Sequence, residues 1–150
     1  MRKEKGFTLV ELVIVMSVIA LILSIAIPHF HAMQNEGQLT QVEGDLNTLK
    51  SAVVAYWKNN DFVYPPNVHT ALTGMTPAVI TKTLNDPFNT DTTNNTYGYS
   101  TGVDTTFGAY FIVYTKGPNG DTSPTWDGTN KRVNYTGSGL VVSSAPVVKN

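Results

Sequence analysis

The chain has 150 residues, of which 10 are basic and 11 acidic, so its formal net charge is −1 at pH 7 and 14% of its residues are charged. Soluble globular proteins carry roughly 25% charged residues, and a near-neutral chain with scattered bases disfavours nucleic-acid binding, which needs clustered Lys and Arg. No cysteine occurs, which excludes a disulfide framework, a thiol nucleophile and thiolate metal sites.

The N-terminus combines a short basic leader with a long apolar run. Three bases lie within the first five residues, and residues 7–27 read FTLVELVIVMSVIALILSIAI. A helix of 21 residues spans about 31 Å, which is enough for a bilayer core of about 30 Å. Because Lys and Arg do not recur until Lys50, the positive-inside bias predicts a cytoplasmic N-terminus and an outward-facing chain after Pro28.

A secretory signal peptide is the plainer alternative for this segment. It would need a small-x-small cleavage site beyond the apolar core, and Ser24-Ile25-Ala26 is a poor one because Ile27 and Pro28 follow at once. We therefore expect the apolar segment to stay attached to the chain.

Glu11 is the one charged residue of the apolar run. An ionisable side chain inside a membrane span costs on the order of 3 kcal/mol, so it indicates a function and requires a partner. No basic residue follows within two helical turns, and we expect the partner of Glu11 to come from elsewhere.

The hexapeptide Gly6-Phe7-Thr8-Leu9-Val10-Glu11, with its basic leader and an apolar run that ends at Pro28, resembles the type IV prepilin signature of pilins and pseudopilins. The resemblance implies that residues 1–6 are a leader, which a membrane prepilin peptidase removes by cutting between Gly6 and Phe7. It also implies N-methylation of the new Phe7 amine, and pairing of that amine with Glu11 of an adjacent subunit.

After the membrane segment (residues 7–28), an amphipathic helix is predicted over residues 29–60. Pro28 should kink or locally unwind the helix where it begins, and Gly37 and Gly44 should weaken it by about 1 kcal/mol each relative to Ala. Asn59, Asn60 and Asp61 should end it. Apolar residues spaced by three and four predict one buried face: Leu39, Val42, Leu46, Leu49, Val53 and Tyr56.

Residues 61–150 are predicted to form the outward domain. Residues 62–96 read as a loop with a short helix, and His69 is predicted to lie in the loop. His29 and His31 lie earlier, in the predicted helix, where residues two apart point to different faces, so we do not expect them to bind one metal ion together. Strands are predicted over residues 97–100, 107–115, 132–136 and 140–143, with turns at 101–104, 117–120 and 137–139 that suit an antiparallel meander. By resemblance this is the α+β pilin fold, a long N-terminal helix with a transmembrane first half and an amphipathic second half packed on a small antiparallel β-sheet.

Several short patterns in the outward domain are most similar to the major pseudopilin of type II secretion systems: Tyr64-Pro65, Asp86-Pro87-Phe88, and Phe111 to Tyr114 running into Gly117-Pro118-Asn119-Gly120. Major pseudopilins typically stabilise the following loop with calcium. Calcium takes six to eight oxygen ligands, and the side chains offered here are Asn119, Asp121, Ser123 and Asp127. The alternative is a polar hairpin loop whose Asn and Asp side chains cap their own turns. No organic cofactor is expected.

The function expected from the sequence is structural. The resemblance implies a pseudopilin that is held in the inner membrane with its C-terminal domain in the periplasm and polymerises through its N-terminal helix into a pseudopilus for type II protein secretion. The implied partners are copies of itself, prepilin peptidase, an assembly ATPase, an inner-membrane platform protein and minor pseudopilins. The alternatives are a subunit of a type IV pilus or related surface filament, for adhesion, motility or DNA uptake, and more remotely a membrane-anchored periplasmic binding module. An enzyme is not expected, because the chain offers no nucleophile elbow, HExxH motif or phosphate-binding loop.

Overall fold

The computed structural model describes residues 6–74, 78–91 and 94–150, except for the side chains of residues 70 and 71. Residues 1–5 of the predicted leader, and residues 75–77 and 92–93 of the predicted loop, lie outside the described residues. The chain divides into an N-terminal unit, Met1–Gly37, and a second unit, Gln38–Asn150. In chain order the elements are α1 (Leu9–Asn59), α2 (Val68–Thr73), β1 (Gly98–Asp104), β2 (Gly108–Tyr114), β3 (Ser123–Asp127), β4 (Arg132–Thr136), β5 (Val141–Ser143) and β6 (Val147–Lys149).

Helix α1 has 51 residues and is helical through Pro28. The sequence predicted a kink or local unwinding at this proline, and the helix is not unwound there in the single subunit. Proline removes one backbone hydrogen bond, the one to the carbonyl of Ser24, and the turns on both sides keep theirs. The helix ends at Asn59, as the Asn-Asn-Asp run predicted, and Asp61 and Phe62 follow with positive φ values of 49° and 62°.

The second unit buries the predicted apolar face of α1. Val42, Leu49 and Val53 are fully buried, and Leu46 is 1% exposed. They form the hydrophobic core together with residues from α2, the loop after it and the first strands: Val68, Leu72, Ile80, Tyr97, Phe111 and Val113. The 3.6-residue period of the sequence therefore identified the helical half of the core.

Two three-stranded sheets complete the second unit. The first has the order β1-β2-β5 and is antiparallel throughout. The second has the order β3-β4-β6, in which β3 and β4 are antiparallel but β4 and β6 are parallel. The α+β class is confirmed, whereas the single meander was wrong.

The sequence missed β3 and β6 and placed the first turn too early. Strand β3 reads Ser-Pro-Thr-Trp-Asp, and Pro124 is tolerated because β3 is an edge strand, where a missing N–H costs no ladder hydrogen bond. The β1–β2 turn lies after residue 104 rather than at 101–104, because Asp104 Oδ1 accepts hydrogen bonds from the amides of Thr106 and Phe107, both at 2.9 Å.

Candidate processing and assembly site

The residues before α1 are exposed, and Gly6 has no structural reason to be glycine. A Cβ built on Gly6 would meet no atom within 4 Å, and its φ lies outside the left-handed region. A glycine is needed where the backbone turns with positive φ or where another group approaches closely. Neither holds for Gly6 among the residues that the structure describes, which is compatible with the predicted recognition of this glycine by another molecule.

Thr8 caps the start of α1, which the sequence reasoning missed. Its Oγ1 accepts a hydrogen bond from the amide of Glu11 at 3.2 Å, which satisfies one of the amides left open at a helix N-terminus. Thr8 and Glu11 have the spacing of a capping box, and this pattern in the sequence could have located the start of the helix. Glu11 is also the acidic residue of the first turn, where a negative charge is favourable.

The side chain of Glu11 has no ion-pair partner within residues 6–74, 78–91 and 94–150, whose two salt bridges both lie in the C-terminal part of the chain. Glu11 itself is exposed. The Glu11 carboxylate is therefore presented on the helix surface and is available to a group outside the described part of the subunit.

An apolar surface surrounds Glu11. Helix α1 contains an apolar stretch that is not buried at all, and the helix is long and apolar enough to cross a membrane. Ser17 and Ser24 add little polarity, because their hydroxyls donate to the carbonyls of Val13 and Leu21 at 2.8 and 2.7 Å. The exposed apolar side chains include Phe7, Leu9, Val10, Leu12, Ile14, Met16, Leu21, Ile22, Ile25 and Phe30.

The four candidate calcium ligands do not form one cluster. Ser123 and Asp127 stand at opposite ends of β3, so their Cα atoms are about 13 Å apart at about 3.3 Å per residue. Two side chains at that separation cannot both reach one ion at about 2.4 Å. Within the described ranges, no group of three or more His, Asp or Glu residues is placed to hold a metal ion.

Asp127 is occupied by neighbouring donors. Its Oδ1 accepts from the amides of Thr129 and Asn130 at 3.0 Å, and its Oδ2 accepts from the side-chain amides of Asn130 and Asn134 at 2.7 and 3.2 Å. The Asn130 side chain and amide lower the pKa of Asp127 to about 2. This carboxylate caps its own turn, which was the alternative reading of the loop.

Asp121 lies in a separate, exposed turn. Its Oδ1 accepts from the amide and hydroxyl of Ser138 at 2.8 and 2.7 Å, and these bonds lower the pKa of Asp121, with a smaller contribution from the Asn119 side chain. Asn119 and Asp121 therefore lie side by side in an exposed turn. The structure brings together two of the four predicted ligands.

Two carboxylate networks that the sequence did not predict hold the second unit together. Asp86 is 2% exposed, and its carboxylate accepts from the Thr115 hydroxyl at 2.7 Å, the Lys116 amide at 2.8 Å and the Phe88 amide at 3.0 Å. Asp104 lies 2.8 Å from the ammonium of Lys131, which holds the pKa of Asp104 well below its ordinary value. These networks join segments about 30 residues apart in the chain.

The comparisons with known proteins concern mainly the N-terminal third. Residues 1–27 match the family described as "Prokaryotic N-terminal methylation motif". The chain is 42% identical over 55 residues to the type IV major alpha-pilin of Moraxella bovis, covering 37% of this chain and 35% of the relative. It is 27% identical over 64 residues to type II secretion system core protein G of Pseudomonas aeruginosa, covering 43% and 44%.

A third relative is the ComG operon protein 3 homolog of Bacillus licheniformis, which is 38% identical over 58 residues, covering 39% of this chain and 60% of the relative. The chain thus spans about a third of the length of the pilin it matches and less than two thirds of the ComG relative. No solved structure matches it. The motif and these relatives support a type IV pilin-like chain, and they include both pilins and a secretion protein.

Proposed function

We propose that this type IV pilin-like chain is the subunit of a filament and polymerises through its N-terminal helix, as a pseudopilin of a type II secretion system. One observation carries the filament proposal. An apolar helix surface in the N-terminal unit is uncovered and bears a single carboxylate, Glu11, without an ion-pair partner in the described part of the subunit.

The chemistry of Glu11 defines the group that should meet it. A carboxylate in an apolar environment is tolerated when a cation pairs with it and is costly when it stays unpaired. Hydrolysis of the Gly6–Phe7 bond leaves a cationic amine on Phe7, at the same end of the helix as Glu11. Pairing of Glu11 with the Phe7 amine of a neighbouring subunit neutralises both charges and fixes the axial offset between the subunits.

Such a contact uses one surface of the first subunit and a different surface of its neighbour, and contacts of this kind build open filaments when the rotation does not close.

Removal of the leader also changes the charge of the subunit. Arg2, Lys3, Glu4 and Lys5 together carry +2, so the formal side-chain charge goes from −1 to −3.

The proposed location is the inner membrane, with a cytoplasmic N-terminus and a periplasmic second unit, before extraction into the filament. Prepilin peptidase would cut and methylate the chain. A cytoplasmic ATPase, an inner-membrane platform protein and minor pseudopilins would drive and start assembly.

Co-expression tests the processing step. The full chain should yield a product that begins with methylated Phe7 when prepilin peptidase is present and the uncut chain when it is absent, as intact-mass spectrometry would show. Gly6→Val should block the cut without changing the fold, because a Cβ at this position meets no neighbour. An uncut wild-type chain in the presence of active peptidase would contradict the proposal.

A type IV pilus is the second candidate, favoured by the 42% identity to a protein named type IV major alpha-pilin. Deletion of the gene in its host separates the two candidates. A pseudopilin is needed for release of exported proteins, whereas a pilus subunit is needed for surface fibres. Loss of surface fibres with normal secretion would replace the secretion role by the pilus role.

The proposal includes a calcium site with two of the four predicted side-chain ligands. We propose that calcium binds weakly at Asn119 and Asp121, with backbone carbonyls and water completing the shell. One carboxylate gives little charge, and sites with few charged ligands bind calcium at about 10⁻⁴ to 10⁻³ M.

A further inference from the structure

The second unit contains a polar cavity. It has a volume of about 890 Å³ and lies between α2, the loop before β1, and the adjoining ends of β1 and β2. This size falls within the range of small-molecule sites. Its lining is rich in amide, hydroxyl and phenol groups, and its two charged residues, Asp91 and Lys116, have opposite signs.

Two tyrosines of β2 lie flat on glycines of β1. Gly98 pairs with Tyr114, and Gly102 pairs with Tyr110. A Cβ on Gly98 would overlap three ring carbons of Tyr114, and one on Gly102 would also strike the ring of Tyr110. In both pairs the tyrosine ring therefore occupies the space that the glycine leaves open.

The outer faces of these two rings differ. The ring of Tyr110 stacks on Trp126, with centroids 4.2 Å apart and planes at 12°. Tyr114 has no such ring partner among the described residues, and it lines the cavity. Trp126 thus covers the Gly102–Tyr110 pair at one end of the β1–β2 hairpin, whereas the Gly98–Tyr114 pair at the other end borders the cavity.

His69 forms part of the cavity wall. It lies in α2 rather than in the loop that the sequence predicted, and it is 7% exposed. Both ring nitrogens are buried within the cavity wall. Burial lowers the pKa of His69, and a hydrogen bond with the Tyr97 backbone opposes part of that effect. His69 therefore shapes the wall and offers no exposed polar atom to a ligand.

We propose that this cavity binds a saccharide, with one sugar ring stacked on Tyr114. The C–H bonds of a sugar face are weakly positive and suit the negative face of an aromatic ring. Sugar hydroxyls accept hydrogen bonds, which the ammonium of Lys116 can donate. The balanced charge and polar lining favour such a ligand over an apolar one or over a strongly charged chain.

Binding can be measured without filament assembly, so the test is independent of the proposed function. The full-length chain in detergent micelles would be applied to immobilised neutral, N-acetylated and acidic mono- and disaccharides. The dissociation constant of any sugar that binds would then be measured by calorimetry. Tyr114→Leu removes the stacking surface, and Lys116→Met removes only the ammonium, since the amide and carbonyl of Lys116 make its hydrogen bonds.

We expect at least one saccharide to bind, and each variant to weaken that binding by about tenfold or more, which corresponds to about 1.4 kcal/mol. Phe62→Leu is the matched control, because Phe62 is an aromatic residue that is 64% exposed and does not line the cavity. If Tyr114→Leu does not fold, Lys116→Met decides the result. The proposal is overturned by no binding at millimolar sugar, by unchanged binding in the folded variants, or by an equal loss in Phe62→Leu.

Discussion

Replacing Glu11 separates the stability of the subunit from the stability of the filament. Glu11→Gln keeps the shape and polarity of the side chain but removes its charge, and Glu11→Ala removes the group. In the single subunit the carboxylate has no ion-pair partner among the described residues, and its backbone amide keeps the hydrogen bond to Thr8 in either variant. We therefore expect the free energy of unfolding to change by no more than about 0.5 kcal/mol, as for an ordinary surface substitution.

The filament should respond far more strongly. If Glu11 pairs with the Phe7 amine in a dry interface, its removal leaves that amine buried and uncompensated. Breaking one partner of a buried pair costs about 3–5 kcal/mol. At 1.4 kcal/mol for each factor of ten, the lower figure already raises the subunit concentration needed for assembly by more than about 100-fold.

Sedimentation and electron microscopy of filaments, made in cells that contain prepilin peptidase, would measure this effect. Mass spectrometry must first show that each variant is processed to Phe7, so that a failure of cleavage is not taken for a failure of assembly. Glu43→Ala is the matched control, because Glu43 is an exposed carboxylate of the same helix outside the apolar segment. Normal filaments from processed Glu11→Ala would refute the pairing argument.

Three further predictions concern the second unit. Asp86→Ala leaves three donors without an acceptor in a buried site, so we expect a loss of about 3 kcal/mol in urea unfolding at roughly 1 kcal/mol per donor; a loss below about 1 kcal/mol would show that water replaces the carboxylate. Because the pKa of Asp104 is lowered in the folded state, its contribution to stability is complete above pH about 4 and declines as the pH falls toward the folded-state value. Thermal melts should therefore show a shallower loss of stability below pH 4 in Asp104→Asn than in the wild type, and parallel curves would contradict the role of its pairing with Lys131. Millimolar calcium should raise the melting temperature of the wild type and of Asp127→Asn but not of Asp121→Asn; no shift in the wild type would exclude the site.

The predictions that the structure confirmed came from residue patterns within single helices and strands. The buried face of α1 followed from the period of residues such as Leu46 and Leu49, and β2 followed from the dense apolar and aromatic run that includes Phe111. Both signals lie within one element, so the sequence shows them without knowledge of the tertiary structure.

The errors arose where distant residues decide the local structure. Ser123 and Asp127 read as loop residues, but pairing with β4 makes them the ends of an edge strand. His69 follows a proline-rich stretch, and only the packing of α2 on the core shows that it is buried. The contacts of Asp86 with residues near the end of β2 likewise depend on the completed fold, because they join parts of the chain that no short pattern connects.

The cap at Thr8 bears on the order of events in the proposed maturation. Helix α1 begins at Leu9, downstream of the Gly6–Phe7 bond, and its capping hydrogen bond is made by a residue that the mature chain keeps. Among the residues that the structure describes, the proposed cut would therefore break no helical hydrogen bond and remove no part of the cap. Under the proposed function, helix α1 can form before the cut, and the cut would act only as a chemical trigger that releases a charged amine.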